Sequence, residues 1–88
     1  MNEQGYRAKV KDEGYGEPTL LDWEANLFVD THSHDFDAAI FVLEGEITVT
    51  CDDRTSTCKA GDNDGLEAGT LHKEQVGPKG VKFLAARR

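Results

Sequence analysis

The stretch HSHDFDAAIFVLEGE, from His32 to Glu46, decides the fold prediction because it joins two histidines to an apolar run. The run from Ala38 to Leu43 is rich in β-prone residues, as is typical of a buried strand. The two histidines are one residue apart, and on an extended chain such side chains share a face, roughly 6.5–7 Å apart. The stretch therefore predicts a strand that directs two imidazoles to one point.

The flanking sequence predicts further short strands separated by turns. Glu44-Gly45 predicts one turn, residues 52–54 predict a hairpin turn, and Gly77-Pro78-Lys79-Gly80 predicts another break in the chain. No segment predicts a convincing helix. Short strands at near-regular spacing predict an all-β sandwich or barrel. The clearest predicted strands are residues 38–43, 46–51, 55–59, 71–76 and 81–85.

The chain of 88 residues is long enough for one small domain. Residues 1–18 are rich in glycine and charge, so we interpret them as a loose N-terminal arm, able to pair as an edge strand or to reach a partner subunit. Residues 19–88 form the predicted barrel domain. A barrel this small leaves edges to cover, so we expect a homodimer. Four apolar residues either close the core or form that interface: Leu20, Leu21, Trp23 and Phe28.

Charge argues against two classes of partner. The chain has 17 acidic and 10 basic residues and a net charge of −7, so nothing would offset repulsion from nucleic acid or an anionic membrane. No apolar run approaches the length of a membrane span or a signal segment, and the first residues are polar. We therefore expect a cytoplasmic protein that binds neither nucleic acid nor membrane.

The two cysteines, Cys51 and Cys58, are too few for a disulfide framework and do not form a C-x-x-C motif. In the predicted hairpin they lie on the same face as Ile47 and Val49, which is the apolar face. We interpret them as two small core residues, and the alternative is a redox pair.

The three histidines, His32, His34 and His72, are the most ligand-like set in the chain. From adjacent same-face positions, imidazole nitrogens can reach a shared ion at ~2.0–2.1 Å. His72 lies far along the chain, but a barrel can bring it to the same cavity. The alternative is that these are surface histidines near turns by chance.

The chain resembles the cupin superfamily through two motifs. These are G-x5-H-x-H-x3,4-E-x6-G and G-x5-P-x-G-x2-H-x3-N. The second corresponds to GDNDGLEAGTLH, and the resemblance extends over roughly residues 20–86. It implies a small β-barrel, or jelly roll, with a metal ion in the barrel mouth. It also implies that the three histidines are metal ligands. The matched positions are His32, His34, Gly45, Gly61, Gly69 and His72.

The glutamate of the first motif is missing. Its position holds Ala38, and the longer spacing gives Ala39. In the second motif, the proline and asparagine positions hold Glu67 and Val76. Asp37 is adjacent to the missing carboxylate, but on an uninterrupted strand it faces the opposite side and would need a bulge to bind. Glu67 is expected at the cavity rim.

Three neutral imidazoles suit a divalent Zn, Ni, Fe or Cu ion, and the alternative is a site without metal whose histidines line a polar pocket. We expect a binding or sensing module for a small molecule, with Asp37, Ala38 and Glu67 as candidate pocket residues. The alternative is a metal-dependent enzyme, a dioxygenase or isomerase acting on a small organic acid, although no general acid or base is assigned by spacing. A structural protein without a site is the third possibility.

Overall fold

The computed structural model describes all residues, Met1–Arg88, as one α-helix followed by six β-strands. All strand pairs are antiparallel. The helix has ten residues, and no helix has the length and apolar character needed to span a membrane. The elements are α1 (Glu3–Asp12), β1 (Thr19–Trp23), β2 (Phe28–His32), β3 (Ala38–Cys51), β4 (Thr55–Lys59), β5 (Asn63–Leu66) and β6 (His72–Arg87).

The long strands β3 and β6 each belong to two half-sheets. The second half of β3 pairs with the first half of β6, and β4 and β2 flank them to form half-sheet one. The first half of β3 pairs with the second half of β6, and β5 and β1 flank them to form half-sheet two. The two half-sheets share one apolar interior, as in a jelly roll. The predicted all-β barrel is confirmed.

The inner core lies between these half-sheets. Trp23 on β1 packs edge-to-face against Phe83 on β6, with ring centroids 5.0 Å apart. Cys58 belongs to this core, as predicted, while Cys51 is half-buried, and both cysteines are free. The buried residues of the inner core are Val42, Ile47, Cys58, Val76, Val81 and Phe83.

The predicted turns at Glu44-Gly45 and Gly77-Pro78-Lys79-Gly80 are wrong, because both segments lie inside continuous strands. The β3–β6 register shifts on each side of Gly45, which has a φ of 78°, and Gly80 has a φ of 79°. These glycines allow the paired strands to bulge and bend together as they pass from one half-sheet to the other. The bend is what places the half-sheets around a common interior.

The N-terminal residues form helix α1, which corrects the expectation of a loose arm or an edge strand. The side chain of Asn2 caps the helix by accepting a hydrogen bond from the Gly5 amide (2.8 Å). Tyr6 and Val10, one turn apart, are buried against the outer face of half-sheet two. The residues they join there are Phe41, Leu84 and Ala86. The domain boundary at residue 18 stays a prediction.

The apolar residues of β1 and β2 divide between the interior and the surface. Leu21 and Trp23 pack against the inner core. Leu20 and Phe28 are 57% and 51% exposed. The homodimer that these exposed residues would support stays a prediction.

Candidate metal centre

The three histidines converge at one end of half-sheet one. His32 ends β2 and pairs with His72 at the start of β6, and His34 follows two residues after His32. Their candidate ligand atoms all lie within 4.8 Å of one another. His72 is only 2% exposed. The structure therefore brings together all three histidines that the sequence singled out.

Backbone carbonyls fix the orientation of two of these rings. The Nδ1–H group of His32 donates to the Asp30 carbonyl (2.7 Å), and that of His72 donates to the Thr70 carbonyl (2.8 Å). A carbonyl oxygen accepts but never donates, so each Nδ1 carries the hydrogen. In the neutral ring this leaves the Nε2 lone pair for another partner, which is the arrangement typical of metal-binding histidines.

The His34 ring stacks on Phe36, with centroids 4.8 Å apart. Burial lowers the pKa of His34 from its ordinary value, and His32 and His72 lower it further. The lowered pKa favours the neutral imidazole, which is the form that binds metal ions.

Glu74 is the residue of this site that the sequence prediction missed. Its Oε1 lies 3.2 Å from His32 Nε2 and 3.7 Å from His72 Nε2, and its side chain is 13% exposed. The signal was present in the sequence, because Glu74 lies two residues after His72 and so on the same face of β6. Neither motif has an acidic position there, and the approach of Glu74 to His32 depends on the pairing of β2 with β6.

The three candidate pocket residues have different surroundings. Ala38 lies in the wall of the cavity that the histidines also line. Both carboxylate oxygens of Asp37 are engaged elsewhere, with the Ala68 amide (2.8 Å) and the Arg88 Nε (2.9 Å). Glu67 is exposed and is not part of the cavity wall.

The cavity lies between the two half-sheets and has a volume of about 900 Å³. The histidines and Glu74 form part of its wall, and much of the rest is apolar. Asp64 also lines it, and the Oδ2 atom of Asp64 is buried without a hydrogen-bond partner. A large apolar space with a few polar groups is typical of a small-molecule site. Its main apolar residues are Leu21, Trp23, Ile40, Val49, Phe83 and Ala85.

The Asp37 contacts predict a pH-dependent contribution to stability. Hydrogen bonds from the Ala68 amide and the Arg88 side chain lower the pKa of Asp37 below its ordinary value of 3.8. Because the folded pKa is depressed, the stabilisation is present above the unfolded pKa and is lost as the pH falls through the folded one. We expect Asp37→Asn to lower the urea midpoint of unfolding at pH 7. The difference in midpoint between the variant and wild type should disappear below about pH 4. Asp53→Asn, in the β3–β4 turn, is the control. An equal difference in urea midpoint between Asp37→Asn and wild type at pH 7 and pH 3 would show that the charge of Asp37 does not contribute to stability.

The donor set fits a first-row transition metal ion. Three imidazoles are the ligand type that Zn, Ni, Fe and Cu accept, and in two of them a backbone carbonyl engages Nδ1, so that Nε2 is the nitrogen left to bind an ion. The residues present thus match the metal that the motifs imply.

Comparison with known proteins places the chain in a family. A sequence model described as "Cupin domain" matches residues 24–86. A cupin superfamily protein of Desulfitobacterium hafniense is 22% identical, with a TM-score of 0.67, over 76% of this chain and 61% of that one. The Salmonella typhimurium protein described as ethanolamine utilization protein q is 30% identical, with a TM-score of 0.67, over 80% and 55%. The DMSP lyase DddQ of Ruegeria pomeroyi is 20% identical, with a TM-score of 0.71, over 78% and 36%.

The likeness to the first and third of these structures supports the fold alone. The chain spans less than two thirds of the length of each of the three proteins. Among curated proteins, none matches the chain. The family match covers most of the chain, and the antiparallel barrel with three converging histidines agrees with it. The chain belongs to the cupin family.

Proposed function

We propose that this protein is a metal-dependent binding module for a small molecule. His32, His34 and His72 hold a divalent Zn, Ni, Fe or Cu ion in the cavity wall, and the ligand occupies the cavity beside it. The proposal rests on the convergence of the three imidazoles within 4.8 Å beside a cavity of about 900 Å³. Three protein ligands leave coordination positions open for a donor atom of the small molecule.

The cavity wall defines the class of ligand. A bound ion supplies a Lewis acid for an oxygen or nitrogen donor. Leu21, Trp23 and Ile40 provide an apolar surface for the body of the molecule. Asp64, which also lines the cavity, provides a carboxylate that can accept a hydrogen bond from a hydroxyl or amine group. We therefore expect a compact molecule with a metal-binding group, an apolar body and a hydrogen-bond donor.

The second candidate is a metal-dependent enzyme, a dioxygenase or isomerase acting on a small organic acid. One observation favours it: Asp64 lines the cavity, and its carboxylate, in which Oδ2 has no hydrogen-bond partner, is a candidate proton acceptor. A panel of small organic acids separates the two candidates. Saturable binding without turnover supports the binding module, whereas turnover proportional to bound metal supports the enzyme.

Metal titration of protein without a histidine tag tests the proposed site. The chain has three histidines and all belong to the cluster, so every imidazole NMR signal reports on the site. We expect one Zn²⁺ ion per chain to shift the signals of all three rings. His34→Ala should weaken Zn²⁺ binding by at least about 100-fold, because one ligand is lost.

Ser33→Ala is the matched control, since Ser33 lies between His32 and His34 and is exposed. It should leave the affinity unchanged. Protein that binds none of the four metals, or binds Zn²⁺ as tightly after His34→Ala, would overturn the proposed site.

A further inference from the structure

We propose that Glu74 supplies the carboxylate ligand of the metal centre, from strand β6, in place of the motif position occupied by Ala38. The inference rests on the proposed function, because it concerns the same ion. It assigns the ligand set as three imidazoles and one carboxylate, and an ion with five or six ligands still has positions for the small molecule.

The contacts of Glu74 are the first argument. Its Oε1 faces the Nε2 atoms of His32 (3.2 Å) and His72 (3.7 Å). In both rings Nδ1 carries the hydrogen, so for a neutral ring each Nε2 is an acceptor facing an acceptor oxygen. A metal ion between these atoms converts the repulsion into coordination. Ligand atoms around such an ion lie roughly 2.9–3.4 Å apart. The distance to His32 falls within this range, and the distance to His72 is slightly longer.

The burial of Glu74 is the second argument. Its side chain is 13% exposed, and no lysine or arginine pairs with it, because its ion-pair contacts are with His32 and His72. A carboxylate that is largely removed from water is unfavourable unless a cation compensates it. The metal ion of the proposed site is the cation in reach.

Strand geometry is the third argument. In the β2–β6 pair, His32 is opposite His72 and Val29 is opposite Glu74. Since His72 and Glu74 share a face of β6, the same strand pair carries His32, His72 and the carboxylate. Ala38 belongs to half-sheet two and lines the same cavity. A carboxylate on β6 instead of at residue 38 leaves the Ala38 side of the cavity open to the ligand.

Glu74→Gln tests this assignment, because glutamine keeps the shape and removes the charge. We expect Zn²⁺ affinity, measured by competition with a chelator, to fall about 10–100-fold. The visible absorption bands of bound Co²⁺ should also change, since they report directly on the ligands. Circular dichroism of the metal-free variant checks that the barrel is folded. Glu67→Gln is the control, because Glu67 is exposed and lies outside the cavity wall.

The outcomes separate this inference from the proposed function. If wild-type protein binds Zn²⁺ and Co²⁺ but Glu74→Gln leaves affinity and spectrum unchanged, Glu74 is not a ligand and the three-histidine site stands. If wild-type protein binds neither ion, the proposed metal site is wrong, and the assignment of Glu74 as a ligand is wrong with it.

Discussion

Alanine at Gly45 is expected to destabilise the barrel by roughly 3–5 kcal/mol, because two separate costs combine at this position. Gly45 has a φ of 78°, in the left-handed region that side chains rarely adopt. A Cβ atom there would also lie 2.0 Å from the Gly80 carbonyl oxygen and 2.9 Å from the Gly80 carbonyl carbon. Both neighbours are backbone, so relief requires β3 and β6 to move apart where they bend together.

Gly14→Ala is the matched control for the Gly45 prediction. Gly14 has a φ of 85°, but a Cβ atom there would meet nothing within 4 Å. Gly14→Ala should lower the free energy of unfolding only by the conformational strain, about 1–2 kcal/mol. Urea unfolding of both variants and wild type measures the difference. Equal losses for the two variants would show that the contact with Gly80 contributes nothing.

The same bend matters for the metal centre. Half-sheet one carries His32, His72 and Glu74, while half-sheet two carries Ala38 and the apolar wall formed by β1. The cavity exists because β3 and β6 pass from one half-sheet to the other at this point. A Gly45 variant that still folds should therefore also show weakened ligand binding.

The strands of the barrel and the shared direction of His32 and His34 could be predicted from sequence because their signals are local, whereas His72 was assigned to the same site through the motif resemblance. The His32 and His34 spacing and the alternation of Ile47 and Val49 report directly on strand faces. The bends at Gly45 and Gly80 could not be distinguished from turns, because a bulge with a left-handed glycine and a tight turn use the same residue types.

Helix α1 and Glu74 escaped prediction for reasons that depend on tertiary structure. The helix has two buried apolar residues, Tyr6 and Val10, and its stability comes from the sheet face it covers. Glu74 becomes notable only when β2 pairs with β6 and places its carboxyl group between His32 and His72. Neither the packing of helix α1 on the sheet nor the pairing of β2 with β6 is visible from residue spacing alone.

Alanine at Tyr6 is expected to lower the free energy of unfolding by about 3–5 kcal/mol, because the largest contact between helix and barrel is lost. Tyr6 is 2% exposed and stacks on Phe41, with ring centroids 5.4 Å apart. Its hydroxyl donates to the Ala39 carbonyl (2.8 Å). The loss should detach the helix and expose Phe41 and Leu84, which urea unfolding and amide hydrogen exchange along residues 3–12 would detect.

Tyr6→Phe separates the packing of the ring from the hydrogen bond of the hydroxyl. It keeps the ring and should cost about 1 kcal/mol at neutral pH. Burial raises the pKa of Tyr6 to about 12. Because the folded pKa is raised, the hydroxyl's contribution is complete below the unfolded value near 10 and declines as the pH rises towards 12. The deficit of Tyr6→Phe relative to wild type should therefore shrink between pH 9 and pH 11. A deficit that stays constant over that range would mean that the buried hydroxyl does not hold its proton in the folded protein.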